Sequence, residues 1–240
     1  MTISSGETVL IIGAGIVGIA CAHFLSKEGY KVTVIDKGTI AGGCSHGNCG
    51  HILPSHILPL NAPSALKTGL GSLFNPLAPL RIRPRLDPGF LNWLWQFSRR
   101  CFGSHTSYAA KNLSQLLSSS CEAYDALIRE GGFTCDWNRA GLLYLFRSDR
   151  ALNAFSKTHD RLSSEYDLRA QEVTNTDIQT QYPSLTENLA GGVFYAQDAS
   201  LRPDMLARKW SGYLMSKGVR FFEHCEFETL ERQAGTIRKI

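Results

Sequence analysis

Thr8-Val-Leu-Ile-Ile12 is a short apolar run of the kind buried on both faces of a parallel sheet. A glycine-rich turn follows, and then a helical stretch from about Ile16 to Lys27, with Gly29 placed to end it. Lys31-Val-Thr-Val-Ile-Asp36 reads as a second strand. Strand, turn, helix and strand within residues 9 to 36 make a compact βαβ crossover. Residues 38 to 90 carry many Gly, Pro, Ser and His residues and little periodicity, which predicts a functional loop region. Helices are expected over Leu86–Phe102, Tyr108–Arg129 and Asp149–Tyr166, and one from Pro203 to Lys217 that Gly218 ends. Strand candidates are Gly141–Phe146, Gly192–Tyr195, Val219–Phe222 and Glu226–Leu230, with Thr236–Ile240 as a last strand that nothing follows. No internal repeat is present.

The turn itself is Gly13-Ala14-Gly15-Ile16-Val17-Gly18, a GxGxxG pattern. Gly13 permits the tight turn, Gly15 lets backbone approach a pyrophosphate, and Gly18 allows the helix to pack closely on the sheet. Phosphates are expected at the helix N-terminus, where free N–H groups and the dipole favour negative charge. Asp36 ends the next strand, where a carboxylate accepts hydrogen bonds from ribose hydroxyls and disfavours a 2′-phosphate. GxGxxG alone is a weak signal, but the strand before it, the helix after it and Asp36 raise it to a nucleotide site. Lys37 follows, and then a second glycine pair, Gly42-Gly43, opens the run Cys44-Ser-His-Gly-Asn-Cys-Gly-His51. That pair gives backbone room for a cofactor reaching past its pyrophosphate, and so favours FAD over NAD. The expected cofactor contacts are Gly13 to Gly18, Asp36, Lys37, Gly43, Cys44, Ser45, Asn48 and Gly50.

This arrangement is similar to the FAD-dependent amine and amino-acid oxidoreductases of the glycine/D-amino-acid oxidase group. Asn48-Cys-Gly-His-Ile-Leu-Pro54, Pro79-Leu-Arg-Ile-Arg-Pro84 and Trp93-Leu-Trp-Gln-Phe97 narrow it further. With Gly141-Leu-Leu-Tyr-Leu-Phe-Arg147 and Gly191-Gly-Val-Phe-Tyr-Ala-Gln-Asp198, the chain resembles the D-amino-acid dehydrogenase small-subunit family nearly end to end. The resemblance implies a bacterial flavoenzyme that oxidises D-amino acids to 2-oxo acids and ammonia. It implies that electrons pass to a respiratory acceptor such as a quinone. It also implies a longer two-domain protein of which this is the N-terminal part. The expected fold class is α/β, a Rossmann-type FAD-binding domain over 1–60 and 200–240 with an inserted α+β substrate or cap domain over 61–199. Rival readings are a glycine oxidase or D-hydroxyproline dehydrogenase, and a truncated, inactive fragment that at most binds nucleotide.

Composition adds exclusions. The 240 residues are 43% hydrophobic, ordinary for a globular chain, and the net charge of +4 is scattered apart from Arg81, Arg83 and Arg85. Nucleic acid calls for a concentrated basic face, so no nucleic-acid partner is expected. Seven cysteines at irregular spacing suit reduced thiols in the cytoplasm. No uninterrupted apolar stretch of about 18 residues exists, which predicts a soluble protein or a peripheral one on the inner membrane face. Cys44, His46, Cys49 and His51 match no zinc-ligand spacing, so no metal is expected; covalent flavin attachment in this loop is rated below a noncovalent site. Arg81 and Arg83 are candidates for a substrate carboxylate, weighed against ordinary surface arginines. Tyr182 and Tyr195 are more simply packing residues. Trp93, Trp95, Phe97 and Phe102, beside Arg99 and Arg100, suit either a membrane surface or packing, and two tryptophans at i and i+2 cannot share a helical face, which favours packing. No protein base is assigned, because a flavin accepts hydride from an oriented neutral amine without one.

Overall fold

The computed structural model describes residues 7–61, 66, 69, 85–102, 104–166, 168, 170–185, 188–229, 231–233 and 236–239. In chain order the elements are β1 (Thr8–Ile12), α1 (Ile16–Lys27), β2 (Lys31–Ile35), β3 (His51–Ile52), α2 (Pro88–Arg99) and α3 (Ser104–Gly131). There follow β4 (Leu142–Phe146), α4 (Asp149–Tyr166), β5 (Ala170–Val173), α5 (Asn175–Gln181) and β6 (Gly191–Tyr195). The chain closes with β7 (Ala199–Ser200), α6 (Pro203–Ser216), β8 (Arg220–Phe222), β9 (Glu231–Gln233) and β10 (Thr236–Lys239). The fold class is α/β, and two compact units divide the chain.

The first unit takes residues up to 51, 124–138 and 199 onward. Its sheet has the order β1-β2-β8, all parallel, with Ile12 opposite Ile35 and Ile35 opposite Phe222. The crossover is therefore the expected βαβ unit, and the strand after α6 supplies the third member. Helices α1 and α6 pack together, and Ile19, Ala22, Leu206, Ala207, Trp210 and Leu214 form a core with Val32 and Val34 of β2. One polar pair lies inside it: Trp210 Nε1 donates to His23 Nδ1 over 3.2 Å. That bond needs an unprotonated Nδ1, and burial together with the Lys27 charge lowers the His23 pKa accordingly.

The second unit takes residues 52–123 and 139–198. An antiparallel sheet of order β4-β6-β5 sets Leu142 opposite Tyr195 and Val173 opposite Gly192. Beside α4, Leu162 and Leu168 meet Ile57 in a small buried cluster. Asp87 caps α2 by accepting from the Phe90 N–H at 2.6 Å, with Pro88 in the first turn where its missing N–H costs nothing.

One sequence expectation is corrected. Glu226–Leu230 has strand-like alternation, yet residues 226–229 are irregular and the strand begins at Glu231. Thr236 onward is a strand as expected, and β10 runs antiparallel to β9 with Thr236 opposite Gln233. A strand forms where a ladder partner exists, and β10 provides one for β9. Helix α2 has no fully buried residue, while Phe90, Leu94 and Phe97 are half-buried. Among the described residues, no helix is long and apolar enough to cross a membrane.

Leu214 is 1% exposed between α1 and α6, so its truncation leaves a cavity that neighbouring helices cannot fill. Leu214→Ala is expected to lower unfolding free energy by about 2–5 kcal/mol, read as a fall in the urea midpoint with an unchanged slope.

Candidate cofactor site

Gly13 leaves β1 with φ of +106° and its N–H donates to the Ile35 carbonyl at 2.8 Å, which ties the turn to the end of β2. Gly18 faces that turn from the first coil of α1. A Cβ there would lie 1.9 Å from the Gly13 carbonyl oxygen, so a side chain would push the helix off the strand. Gly15 is the N-cap of α1 and offers no side chain to its first N–H groups. A Cβ on it would meet Ser45 Oγ at 3.2 Å.

The loop after β2 folds back onto this turn. Asp36 accepts from the Ala14 N–H at 2.7 Å with one carboxylate oxygen and from the Gly38 N–H at 2.8 Å with the other. Those two bonds, Gly38 first, and the nearby Lys37 charge hold its pKa below the usual carboxylate value. The Ala41 N–H donates to the Ala14 carbonyl at 2.9 Å, and Ser45 Oγ accepts from the Ile16 N–H at 2.9 Å. Ser45 thus supplies one capping oxygen that Gly15 lacks. Asn48 spans the next turn, donating to the Ser45 carbonyl at 2.9 Å and accepting from the Gly50 N–H at 2.8 Å. Gly50 has φ of +66°, and a Cβ there would sit 2.0 Å from the Leu201 carbonyl oxygen.

Of the expected contacts, the structure draws the Gly13–Gly18 turn, Asp36, Ser45, Asn48 and Gly50 into one connected network. Lys37, Gly43 and Cys44 lie on the same loop, exposed, and make none of these hydrogen bonds, though the Lys37 charge acts on Asp36. Cys44, His46, Cys49 and His51 are likewise exposed, and among the described residues no three His, Cys, Asp or Glu side chains gather as a metal site. Arg81 and Arg83 lie outside the described residues. Tyr195 is buried in the second unit and Tyr182 is 47% exposed.

Three supporting residues were not anticipated. Glu223 accepts from the Ile40 N–H at 2.6 Å across 183 positions, the His224 N–H donates to the Gly38 carbonyl at 3.0 Å, and the Cys225 N–H to the Asp36 carbonyl at 2.8 Å. They follow β8, and only its pairing with β2 brings them there. No local sequence signal marks them.

The site is a solvent-open helix N-terminus with no acidic residue in its first turn and an ionised carboxylate beside it. A model of the FAD dependent oxidoreductase (DAO) family matches residues 8–240. The chain belongs to this FAD-dependent oxidoreductase family. D-amino acid dehydrogenase 2 of Mesorhizobium japonicum is 30% identical over 237 residues, which are 97% of this chain and 57% of that protein. D-amino acid dehydrogenase of Chromohalobacter salexigens is 27% identical over 97% of this chain and 56% of its own length. The chain therefore spans a little over half the length of these relatives. Among solved structures, L-amino acid deaminase from Proteus vulgaris superposes with a TM-score of 0.66 at 17% identity, covering 99% of this chain and 44% of that one. Glycine oxidase from Geobacillus kaustophilus gives 0.64 at 18% identity, covering 92% and 47%. At such identities the likeness is one of fold.

FAD is the cofactor of the family, and the residues present fit it. A carboxylate has about four acceptor positions, and backbone bonds use two on Asp36, one per oxygen, which leaves positions for a diol. Val17, in the first turn of α1, is 73% exposed, so the unpaired end of the helix is open to an anion. A Cβ on Gly13, Gly43 or Gly47 would meet nothing within 4 Å, so space is clear at these three positions.

Two outcomes follow. Gly18→Val is expected to reduce FAD retention at least ~10-fold, because the helix N-terminus must move away from the turn; absorbance of flavin released on denaturation reads it. Asp36 has a lower pKa folded than unfolded, so the unfolded chain binds its proton first as pH falls. Its stabilising effect is complete above the ordinary carboxylate value and is lost as pH falls through the lowered one. Asp36→Asn is expected to melt earlier than the wild type at pH 7, with the gap closing in acid, as thermal scans across pH would show.

Proposed function

We propose that the protein oxidises D-amino acids to 2-oxo acids and ammonia and passes the electrons to a respiratory acceptor of the quinone class. The observation that carries this reading is the shared identity with curated D-amino acid dehydrogenases along nearly the whole chain, 97% of it in the two relatives above. In this reading residues 1–60 and 200–240 form the FAD-binding domain, and 61–199 the substrate or cap domain.

The chain's own residues have three tasks. The first turn of α1 and the Gly13–Gly18 backbone hold the pyrophosphate through N–H groups, and Asp36 takes the ribose hydroxyls. Ser45, Asn48 and Gly50 fix the loop that passes over the turn, with Lys37, Gly43 and Cys44 at its outer edge. Arg81 and Arg83 are the residues assigned to the substrate carboxylate, since guanidinium forms a bidentate pair with it. Bound here, FAD supplies the acceptor for the two electrons lost when the amino acid becomes an imino acid, which water then hydrolyses. The protein's part is to orient the α-carbon and to exclude water, so no side-chain base is assigned.

Helix α2 bears on where the acceptor is met. Trp93 and Trp95 are 55% and 57% exposed, and the Arg99 guanidinium lies 4.5 Å from the centre of the Trp95 ring. Exposed aromatic and basic residues on one helix support a peripheral position at the inner membrane face, where a quinone is reached.

The first test is the visible spectrum of the purified chain after reconstitution with FAD, before and after denaturation. Flavin bands released on unfolding, and bleached anaerobically by D-alanine but not L-alanine, are the expected result. Reoxidation should be faster with a quinone than with oxygen. Bleaching by glycine or D-hydroxyproline alone would replace the D-amino acid reading with one of those activities. Bound flavin that no amine reduces, in this chain and in one extended past Ile240, would overturn it.

A further inference from the structure

The second unit holds a cavity of about 420 Å³ between α4 and its sheet. That size lies within the usual range for small-molecule sites. Tyr144 and Phe146 reach it from alternate positions of β4, which share one face of the strand. From α4 come Ala151, Ala154, Phe155 and His159, in the three- and four-residue steps of one helix face. Alanine at 151 and 154 leaves open the space that longer side chains on that face would fill. None of these residues belongs to the cofactor cradle.

No lysine, arginine, aspartate or glutamate lines the cavity. Most polar side chains on its wall are already engaged within the protein. The Ser55 hydroxyl donates to Asp198 at 2.6 Å, and the Thr158 hydroxyl to the Ala154 carbonyl at 3.2 Å. His159 Nδ1 pairs with the Tyr195 hydroxyl at 2.7 Å, and its Nε2 with Ser163 Oγ. Burial lowers the His159 pKa, which keeps the ring neutral at neutral pH. Among the described residues, the lining side chains left without a hydrogen bond are the Tyr144 hydroxyl and the exposed His56 ring.

A charged guest would lose its water here and find no lysine, arginine or carboxylate to pair with. A guest rich in polar groups would leave most of them unpaired. A neutral, largely apolar guest suffers neither loss.

Rings make up much of the wall, and their mutual angles run from 9° between Phe155 and His159 to 88° between His159 and Tyr195. The Tyr144 ring lies 5.6 Å from both Phe155 and Tyr195. Aromatic pairs are favourable both edge to face and offset-stacked. A flat guest ring therefore gains whether the wall presents faces or edges, an advantage that a saturated guest of the same size lacks. We propose that this cavity binds a small neutral aromatic molecule of one or two fused rings.

Four compounds separate ring, shape and charge: 2-naphthol, saturated decahydro-2-naphthol, the anion 2-naphthoate and the cation 2-naphthylmethylammonium. Calorimetric titration is done at pH 7 on the purified chain with FAD in excess, which keeps the cofactor cradle filled. 2-Naphthol is expected to bind about 3- to 10-fold tighter than its saturated counterpart. It is expected to bind at least ~10-fold tighter than either ion. Ala154→Trp fills the space from α4 and is expected to weaken 2-naphthol at least ~10-fold, with flavin retention unchanged. The proposal is overturned if 2-naphthol does not bind, or if the saturated alcohol or either ion binds as well. Undiminished binding by a folded Ala154→Trp chain would overturn it too. The four-compound comparison needs no variant, so it stands even where Ala154→Trp fails to fold.

Discussion

The Asp36 carboxylate, bridging the Ala14 and Gly38 N–H groups, is the contact on which the rest of the cradle depends. It closes a ring: β1 delivers the turn, β2 delivers the carboxylate, and the bond fastens one to the other at the open end of the sheet. The loop from Gly38 to Gly50 then has a fixed starting point, and the bonds of Ala41 to Ala14 and of Ile16 to Ser45 lay it over the helix end. The Ile35 carbonyl holds the Gly13 N–H, and the charged Asp36 acceptor serves the next one, Ala14. Backbone N–H bonds to an ionised carboxylate are stronger than those to a neutral acceptor. The same charge that organises the turn is the one the proposed reading assigns to the ribose hydroxyls, so in that reading structure and binding draw on one group.

The second unit is organised by buried polar pairs. Asp198 and Ser55 join segments 143 residues apart, and His159 joins α4 to β6 through the Tyr195 hydroxyl. A buried carboxylate left unpaired would cost far more than an apolar substitute. Such pairs therefore fix which segments meet, and apolar packing around Ile57, Leu162 and Leu168 fills the space between them.

How far the sequence could be read followed the range of the interactions. β1, α1 and β2 were legible because their apolar periods and the glycine turn are local, and Asp36 sits at a fixed offset from them. α4 and α6 were legible for the same reason. β5 was not: Ala-Gln-Glu-Val has two exposed polar residues at its centre and becomes a strand only because β6 offers a ladder. α5 is seven residues long and depends on the Thr174 cap, which is too little for a periodic signal. Ser45 and Asn48 could be named as loop residues near a cofactor, but their roles as cap and turn clamp could not, since those depend on how the loop folds. Glu223, His224 and Cys225 gave no signal at all, being joined to Asp36, Gly38 and Ile40 only through the β2–β8 register.

This division also explains why the family is legible while the substrate is a matter for experiment. The cradle works largely through backbone groups, whose positions need glycines at three places, one carboxylate and a capping oxygen. Most other residues there can change without moving an N–H group, which is compatible with the 27–30% identity to the relatives above. Substrate choice rests on side chains that project into space, and each can be exchanged without disturbing the fold. The likeness to an L-amino acid deaminase and a glycine oxidase is one of fold. A fold by itself does not fix a substrate, which is decided by the side chains placed on it.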